Sequence, residues 1–188
     1  MTKEDIFYYV YGFLHLPGYK QQFAADLKKA LPRIMLTEET KIFWQIVKAG
    51  RKLVDLHLNY ERQTSAEGAL PFDEVKVMGI EAGDFRVEKL RYGKADKSEI
   101  IYNSHIRIKD IPVRAFYYEV NGKSPLDWVI DRYKITVDKE SKIENDPNKW
   151  CEEQKNPRYI LDLILSLIHM SIQTAEIVDS LPEVDFAK

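Results

Sequence analysis

Residues 75–109 read VKVMGIEAGDFRVEKLRYGKADKSEIIYNSHIRIK, and the period of this stretch decides the fold class. Apolar and polar residues alternate over 75–80, 85–92, 99–102 and 105–108. That is the pattern of half-buried strands, whose successive side chains point to opposite faces. Ala82-Gly83-Asp84 and Asn103-Ser104 stand between the runs, where tight hairpin turns belong. An antiparallel meander is expected here.

On the N-terminal side the period is helical. Ile6, Tyr9, Val10, Phe13 and Leu14 recur at three- and four-residue spacing, and Thr2 with Asp5 approaches a capping box, so a helix is expected over 3–16. Pro17-Gly18 should stop it. A second helix is expected over 19–31, burying Phe23 and Leu27, and the stretch PRIMLTEE (32–39) should be an extended connector. A third helix is expected over 40–60 on a stripe of Phe43, Val47, Val54 and Leu58. The segment QTSAEGALPF (63–72) is turn-rich.

On the C-terminal side, PVRAFYYEV (112–120) suits either a short helix or a strand, and Asn121-Gly122 is a turn. Ser124 is placed to cap a helix with Pro125 first and Asp127 in its opening turn. Residues 138–157 are polar, hold two prolines and read mostly as loop. A last helix over 158–181 should bury Leu161, Leu165, Ile168, Ile172 and Ala175. The fold class that follows is α+β: an N-terminal helical part, a central mainly antiparallel sheet and C-terminal packing helices.

With 45% hydrophobic and 31% charged residues, the 188-residue chain has enough apolar mass for a core and enough charge for a solvated surface. Its single cysteine, Cys151, rules out an internal disulfide framework and fits a reducing cytoplasm. No secretory leader is expected, because MTKEDIFYYVYGFLHL carries acid where a leader carries base. The most apolar run, 160–172, contains Asp162, Ser166 and His169 and is shorter than the ~20 residues of a membrane span. A soluble protein is expected.

The net charge of −2 hides an uneven distribution. Residues 84–134 hold eleven basic and eight acidic side chains, whereas 135–188 hold six and eleven. Arg107, Lys109, Arg114, Lys123 and Arg132 are the candidates for phosphate contacts in the basic middle, with Asn103, Ser104 and Asn121 in turns as candidates for base edges. Alternating Lys and Arg on a wet sheet face is also ordinary solubility chemistry, and Arg132 has Asp127 and Asp131 nearby as internal partners.

No catalytic pattern accompanies that surface. There is no GxxxxGK[ST] loop, no GxGxxG after a strand, no GxSxG elbow and no HExxH pair. His15, His57, His105 and His169 lie on separate elements, none at metal-ligand spacing with a second donor; Asp55 and His57, two apart on a helix, point in different directions. Neither a catalytic nor a metal site is expected. Asn156-Pro157-Arg158-Tyr159 resembles the Asn-Pro-Pro-Tyr loop of amino-methyltransferases, but Arg replaces the second proline and no glycine-rich cofactor loop precedes it. It reads as a loop whose proline adjoins a helix start.

Four longer strings carry more information: EDIFYYVYGFLHLPGYKQQFAADLKKALPRI (4–34), AGRKLVDLHLNYE (49–61), YYEVNGKSPLDWVIDRY (117–133) and NPRYILDLILSLI (156–168). Taken in order, they resemble the C-terminal specificity region of Type ISP restriction–modification enzymes, in which nuclease, helicase-like translocase and adenine methyltransferase share one polypeptide. The resemblance implies a helical connector at 1–36 following a methyltransferase domain, and a target recognition domain at 37–188. It implies double-stranded DNA and the parent's methyltransferase and helicase domains as partners. S-adenosylmethionine, ATP and Mg would be used by the parent polypeptide, with no cofactor and no active site in this piece. At Leu31-Pro32-Arg33-Ile34-Met35 the chain departs from the family's usual Leu-Pro-Arg-Ile-Pro, which loosens the expectation of a rigid connector.

A rival reading is a docking module that braces the assembly without touching DNA, and a further one is a free-standing enzyme with an unrecognised site. Tyr8, Tyr9, Phe13 and Leu14 are expected to be exposed in the isolated chain and to drive self-association.

Overall fold

The structure, a computed structural model, describes residues 1–63 and 75–186. The turn-rich reading of 63–72 falls almost wholly outside the described residues. The chain divides into two compact units, Met1–Asn59 with the chain from Gln173 onward, and Tyr60–Ile172. The α+β class holds: six α-helices accompany short antiparallel strands among the described residues.

The first unit is helical. Helix α1 (Lys3–Phe13) begins in the expected capping box, with the Thr2 hydroxyl accepting from the Asp5 amide and the Asp5 carboxylate accepting from the Thr2 amide. Pro17 does not end a helix; it opens α2 (Pro17–Gln22), where its missing N–H costs nothing. The expected helix over 19–31 stops at Gln22, and 23–29 continue as turns. Helix α3 (Thr40–Leu58) buries Phe43, Ile46, Val47, Gly50, Leu53 and Leu56. Its stripe is therefore rotated from the expected one: Leu53 takes the place given to Val54, and Leu58 is exposed.

Gly50 sets that rotation. A Cβ on Gly50 would stand 1.9 Å from the Tyr8 carbonyl oxygen, and one on Gly12 would stand 2.5 Å from the Ile46 carbonyl oxygen. The α1 and α3 backbones thus touch, which only glycine permits. Around this crossing Tyr9, Phe13, Leu16, Tyr19, Phe43, Ile46, Val47 and Phe186 form one core. Tyr9 and Phe13 are buried, contrary to the expected exposure; on α1 it is Ile6 and Phe7 that face solvent.

Two core phenols reach the connector. Tyr9 Oη donates to the Met35 carbonyl at 2.6 Å and accepts from the Thr37 amide at 3.1 Å, and Tyr19 Oη donates to the Arg33 carbonyl at 2.9 Å. A polar chain also runs through this unit: Tyr11 Oη lies 2.7 Å from His57 Nδ1, and His57 Nε2 lies 2.8 Å from Thr174 Oγ1. His15 Nδ1 approaches the Tyr11 carbonyl at 2.7 Å. Burial, and then the neighbouring His15 and Lys20, push the His57 imidazole down to about 4, so the ring is held neutral at pH 7.

The second unit holds the sheet, in strand order β1 (Lys76–Met78), β4 (Arg107–Lys109), β3 (Ile100–Ile101), β2 (Arg91–Tyr92), every pair antiparallel. Of the expected strand over 85–92 only the last two residues pair. Helix α4 (Pro125–Arg132) starts as expected in a Ser124/Asp127 capping box with proline first. The stretch 138–157, read as loop, contains strand β6 (Glu144–Asn145) and helix α5 (Pro147–Glu153); β6 pairs with β5 (Thr136–Val137). Asp146 caps α5 by accepting from the Asn148 amide, with Pro147 in the first turn. Helix α6 (Tyr159–Asp179) buries the five residues expected of it. It is long and apolar enough to cross a membrane, yet 72% of its most apolar window is buried inside the protein, as in a core helix.

Candidate nucleic-acid interface

Strand register decides which side chains share a face. Lys76 stands opposite Lys109, Met78 opposite Arg107, and Ile101 opposite both Arg107 and Arg91. Val77, Ile108, Ile100 and Tyr92 form the alternate row, in which Ile100 and Ile108 are fully buried. The outward face therefore presents Lys76, Arg91, Arg107 and Lys109 over two short rows. Arg107 and Lys109 were expected there. Lys76 was not, because its place opposite Lys109 follows only from the pairing of β1 with β4.

The outward face also carries acid. Glu99 Oε1 lies 3.4 Å from Arg107 Nη1 and 3.9 Å from Lys109 Nζ, and Asp110 meets Lys76 at 3.0 Å. These pairs are largely solvated, and exposed pairs of this kind contribute about 0–1 kcal/mol each. A phosphate oxygen can replace such a carboxylate at small cost. The face is thus open and cationic with two carboxylates set into it, and it is not buried.

The other predicted cations sit on separate supports. Arg114 is half-buried on a 3-10 turn (Val113–Phe116). Asn121 and Gly122, with φ of 54° and 76°, form the tip of a two-residue turn closed by hydrogen bonds between Val120 and Lys123. Left-handed backbone at both positions is what an Asn-Gly turn supplies. The Trp128 indole N–H donates to the Val120 carbonyl at 2.9 Å, and Lys123 lies 5.2 Å from the Trp128 ring centroid, so the turn is braced against α4. Lys123 meets Asp131 at 2.6 Å, and Lys134 meets it at 3.3 Å. Arg132, at the C-terminal end of α4, is exposed and makes no ion pair among the described residues.

Asp127 joins the sheet to α4. Its carboxylate accepts from Tyr92 Oη at 2.8 Å, Lys97 Nζ at 2.9 Å and Ser124 Oγ at 2.8 Å. Burial works against the charge, but the hydrogen bonds from Lys97, Ser124 and Tyr92 outweigh it and hold the carboxyl at about 2. The same burial and the adjoining carboxylate push the Tyr92 phenol up.

Asn103, expected at the base-reading edge, is turned inward. Its side chain is buried, donates to the carbonyls of Asp84 at 2.9 Å and Arg86 at 3.0 Å, and accepts from the amides of His105 and Ile106. It works as a clamp, not a contact. Tyr102 Oη donates to the Phe85 carbonyl at 2.7 Å, and the buried Asn148 amide both accepts from Val87 N and donates to Val87 O. Four successive residues, Asp84 to Val87, are thereby fixed by side chains in place of a strand partner. Arg158 of the Asn-Pro-Arg-Tyr stretch pairs with Asp162 at 3.1 Å and lies 5.1 Å from the Phe85 ring centroid, a packing role. Among the described residues no three metal-ligating side chains gather.

A family model described as the Type ISP C-terminal specificity domain matches residues 1–163. Solved structures share the fold. The chain is 44% identical to a nuclease-deletion mutant of the Type ISP restriction–modification enzyme LlaGI in complex with a DNA substrate mimic, with a TM-score of 0.84 over 97% of this chain and 14% of that one. It is 39% identical to the ATP-dependent Type ISP enzyme LlaBIII bound to DNA, again with a TM-score of 0.84, over 98% of this chain and 11% of that one. A DrdV–DNA complex matches at 26% identity and a TM-score of 0.74, over 96% of this chain and 18% of that one. The chain thus spans less than a fifth of each solved chain. Nothing among curated proteins matches it.

Proposed function

Because the chain belongs to the Type ISP C-terminal specificity domain family, we propose that it recognises a sequence in double-stranded DNA on behalf of a longer restriction–modification polypeptide. The observation that carries this reading is the outward sheet face, where Arg91, Arg107, Lys76 and Lys109 stand in register over two adjacent rows. Phosphates lie along a duplex at regular spacing, and cations fixed by strand pairing meet them without loss of loop entropy. The fold that carries these cations is also that of chains solved on DNA.

In this reading Arg107, Lys109, Arg114, Lys123 and Arg132 contact phosphates, and Asn121 reaches base edges from its turn. Bond-making belongs to other parts of the parent: S-adenosylmethionine, ATP and Mg serve nuclease, helicase and methyltransferase domains there, and this chain has no active site. Those domains are its protein partners, and the cytoplasm is where it works.

The test is duplex binding against salt. Each phosphate neutralised lowers log K by roughly 0.9 per log unit of salt, so the four face cations alone give a slope of about −3.6, and Arg114, Lys123 and Arg132 steepen it further. Replacing Arg107 and Lys109 together with alanine should bring the slope up by about 2.

One observation favours the docking reading: Lys76, Arg107, Lys109 and Lys123 each already have a carboxylate partner. A brace of that kind shows no duplex binding even at low salt. Turnover of labelled S-adenosylmethionine, ATP or plasmid DNA by the purified chain would overturn both readings.

A further inference from the structure

We propose that the clamped loop 84–90 is a base-reading element, in which Glu88 accepts from the exocyclic amino group of a cytosine in the major groove and Lys89 donates to an adjacent guanine. The inference rests on the DNA-recognition reading above and adds the element and the bases.

The loop is held along four successive residues. Its carbonyls at Asp84, Phe85, Arg86 and Val87 are each held by a side chain from elsewhere: Asn103, Tyr102, Asn103 again and Asn148. All three clamping residues are buried. Val87 and Leu90 are buried too, so the loop is anchored at both sides of the pair Glu88-Lys89, which faces solvent. A fully satisfied buried polar network fixes a backbone, and a fixed backbone presents side chains with little entropy left to lose on binding. Discriminating one base edge from another requires such positioning.

Placement agrees. The loop leads directly into Arg91 on the outward face, and the turn 103–105 leads through Ile106 into Arg107 on the same face. Ser104 of that turn donates to Glu88 Oε1 at 3.0 Å, which orients the carboxylate and leaves its other oxygen available. His105 is exposed beside it. Lys89 makes no ion pair among the described residues.

The partner of Glu88 selects the role. Glu99 and Asp110 are paired with cations of the face, whereas Glu88, among the described residues, is held only by the Ser104 hydroxyl, so its carboxylate is placed to accept a further hydrogen bond. In the major groove the cytosine N4 amino group is the donor that Glu and Asp accept from, while Lys donates to guanine O6 and N7. A phosphate-contact role suits Lys89 alone; Glu88, an acceptor, suits a base edge.

The experiment enriches bound sequences from a pool of randomised duplexes, using the 188-residue chain and its Glu88→Ala, Glu88→Gln and Lys89→Ala variants. Both positions are exposed, and an unchanged circular-dichroism melt verifies each variant's fold. The wild-type chain should enrich a site containing a cytosine next to a guanine on either strand. Glu88→Ala and Glu88→Gln should relax the cytosine preference by roughly 5- to 150-fold, and Lys89→Ala should relax the guanine, with other positions kept. Variants that enrich the wild-type site with unchanged preference overturn the proposal. So does a wild-type chain that binds duplexes with steep salt dependence yet enriches nothing, an outcome that leaves the DNA-recognition reading standing. Absence of binding at low salt overturns both.

Discussion

The two units reach order by different routes. In the first, Tyr9, Phe13, Phe43 and Val47 recur at helical spacing and pack around a backbone crossing at Gly12 and Gly50. In the second, the strands around the candidate interface are two or three residues long, the backbone of 84–87 is fastened by Asn103, Tyr102 and Asn148, and Asp127 ties the Tyr92 side chain to α4. A periodic apolar face is redundant, since several residues share the burial. A clamp made by one side chain is not. The first unit therefore depends on shape, and the second on individual hydrogen-bonding groups.

Gly50→Ala tests the first half of that contrast. Its Cβ would lie 1.9 Å from a backbone oxygen, so α1 and α3 must separate, and we expect a loss of about 3 kcal/mol or more in urea unfolding. A variant as stable as the wild type would show that the crossing is loose. Asn103→Ala tests the second half. It leaves two carbonyls and two amides without their partner, and about 2–3 kcal/mol is expected in the same assay. If Asn103→Ala costs no more than an exposed substitution, the difference between the units collapses.

Acid sharpens the comparison. His57 titrates at about 4 in the fold against an ordinary imidazole value of 6.5, so the unfolded chain binds the proton first as pH falls. The stability it contributes is complete above pH 6.5 and is lost between 6.5 and about 4, amounting to ~2 kcal/mol after discount for its partly exposed ring. Asp127 has the carboxylate sense: its contribution is complete above 3.8 and falls away toward about 2. Denaturation followed from about pH 7 to about pH 4.5 should weaken the wild type and weaken His57→Gln much less. A flat wild-type profile would mean the imidazole is not held neutral. The smallest effect belongs to Asp131→Asn, which frees Lys123 and Lys134; under about 1 kcal/mol is expected in stability, with duplex affinity unchanged or raised. A loss of affinity would place Asp131, not the lysines, at the contact.

What could be read in the sequence follows the same divide. The Thr2 and Ser124 capping boxes and the Asn121-Gly122 turn are local signals, and each is realised; helical period placed the first, third and last helices but failed over 23–31, where turns replace the helix. The strand expected over 85–92 is not, because Val87 bonds to Asn148, sixty-one residues away, and no local pattern records such a partner. Helix α5 was hidden for another reason: Asp146-Pro147 offers the same start as Ser124-Pro125, but its polar surroundings read as loop. Among the candidate contacts, alternation placed Arg107 and Lys109 on the open face, while the same amide chemistry that marked Asn103 for a base edge serves the fold. Lys76 and Glu99 became visible only through register.

The connector ahead of α3 carries methionine at position 35, and a ring that would lock φ is missing there. Its course is held from outside, by the hydroxyls of Tyr9 and Tyr19. Stiffness of this kind is borrowed from the helices that supply the phenols. Whatever parts those helices from it also takes away the hydrogen bonds that hold it in place.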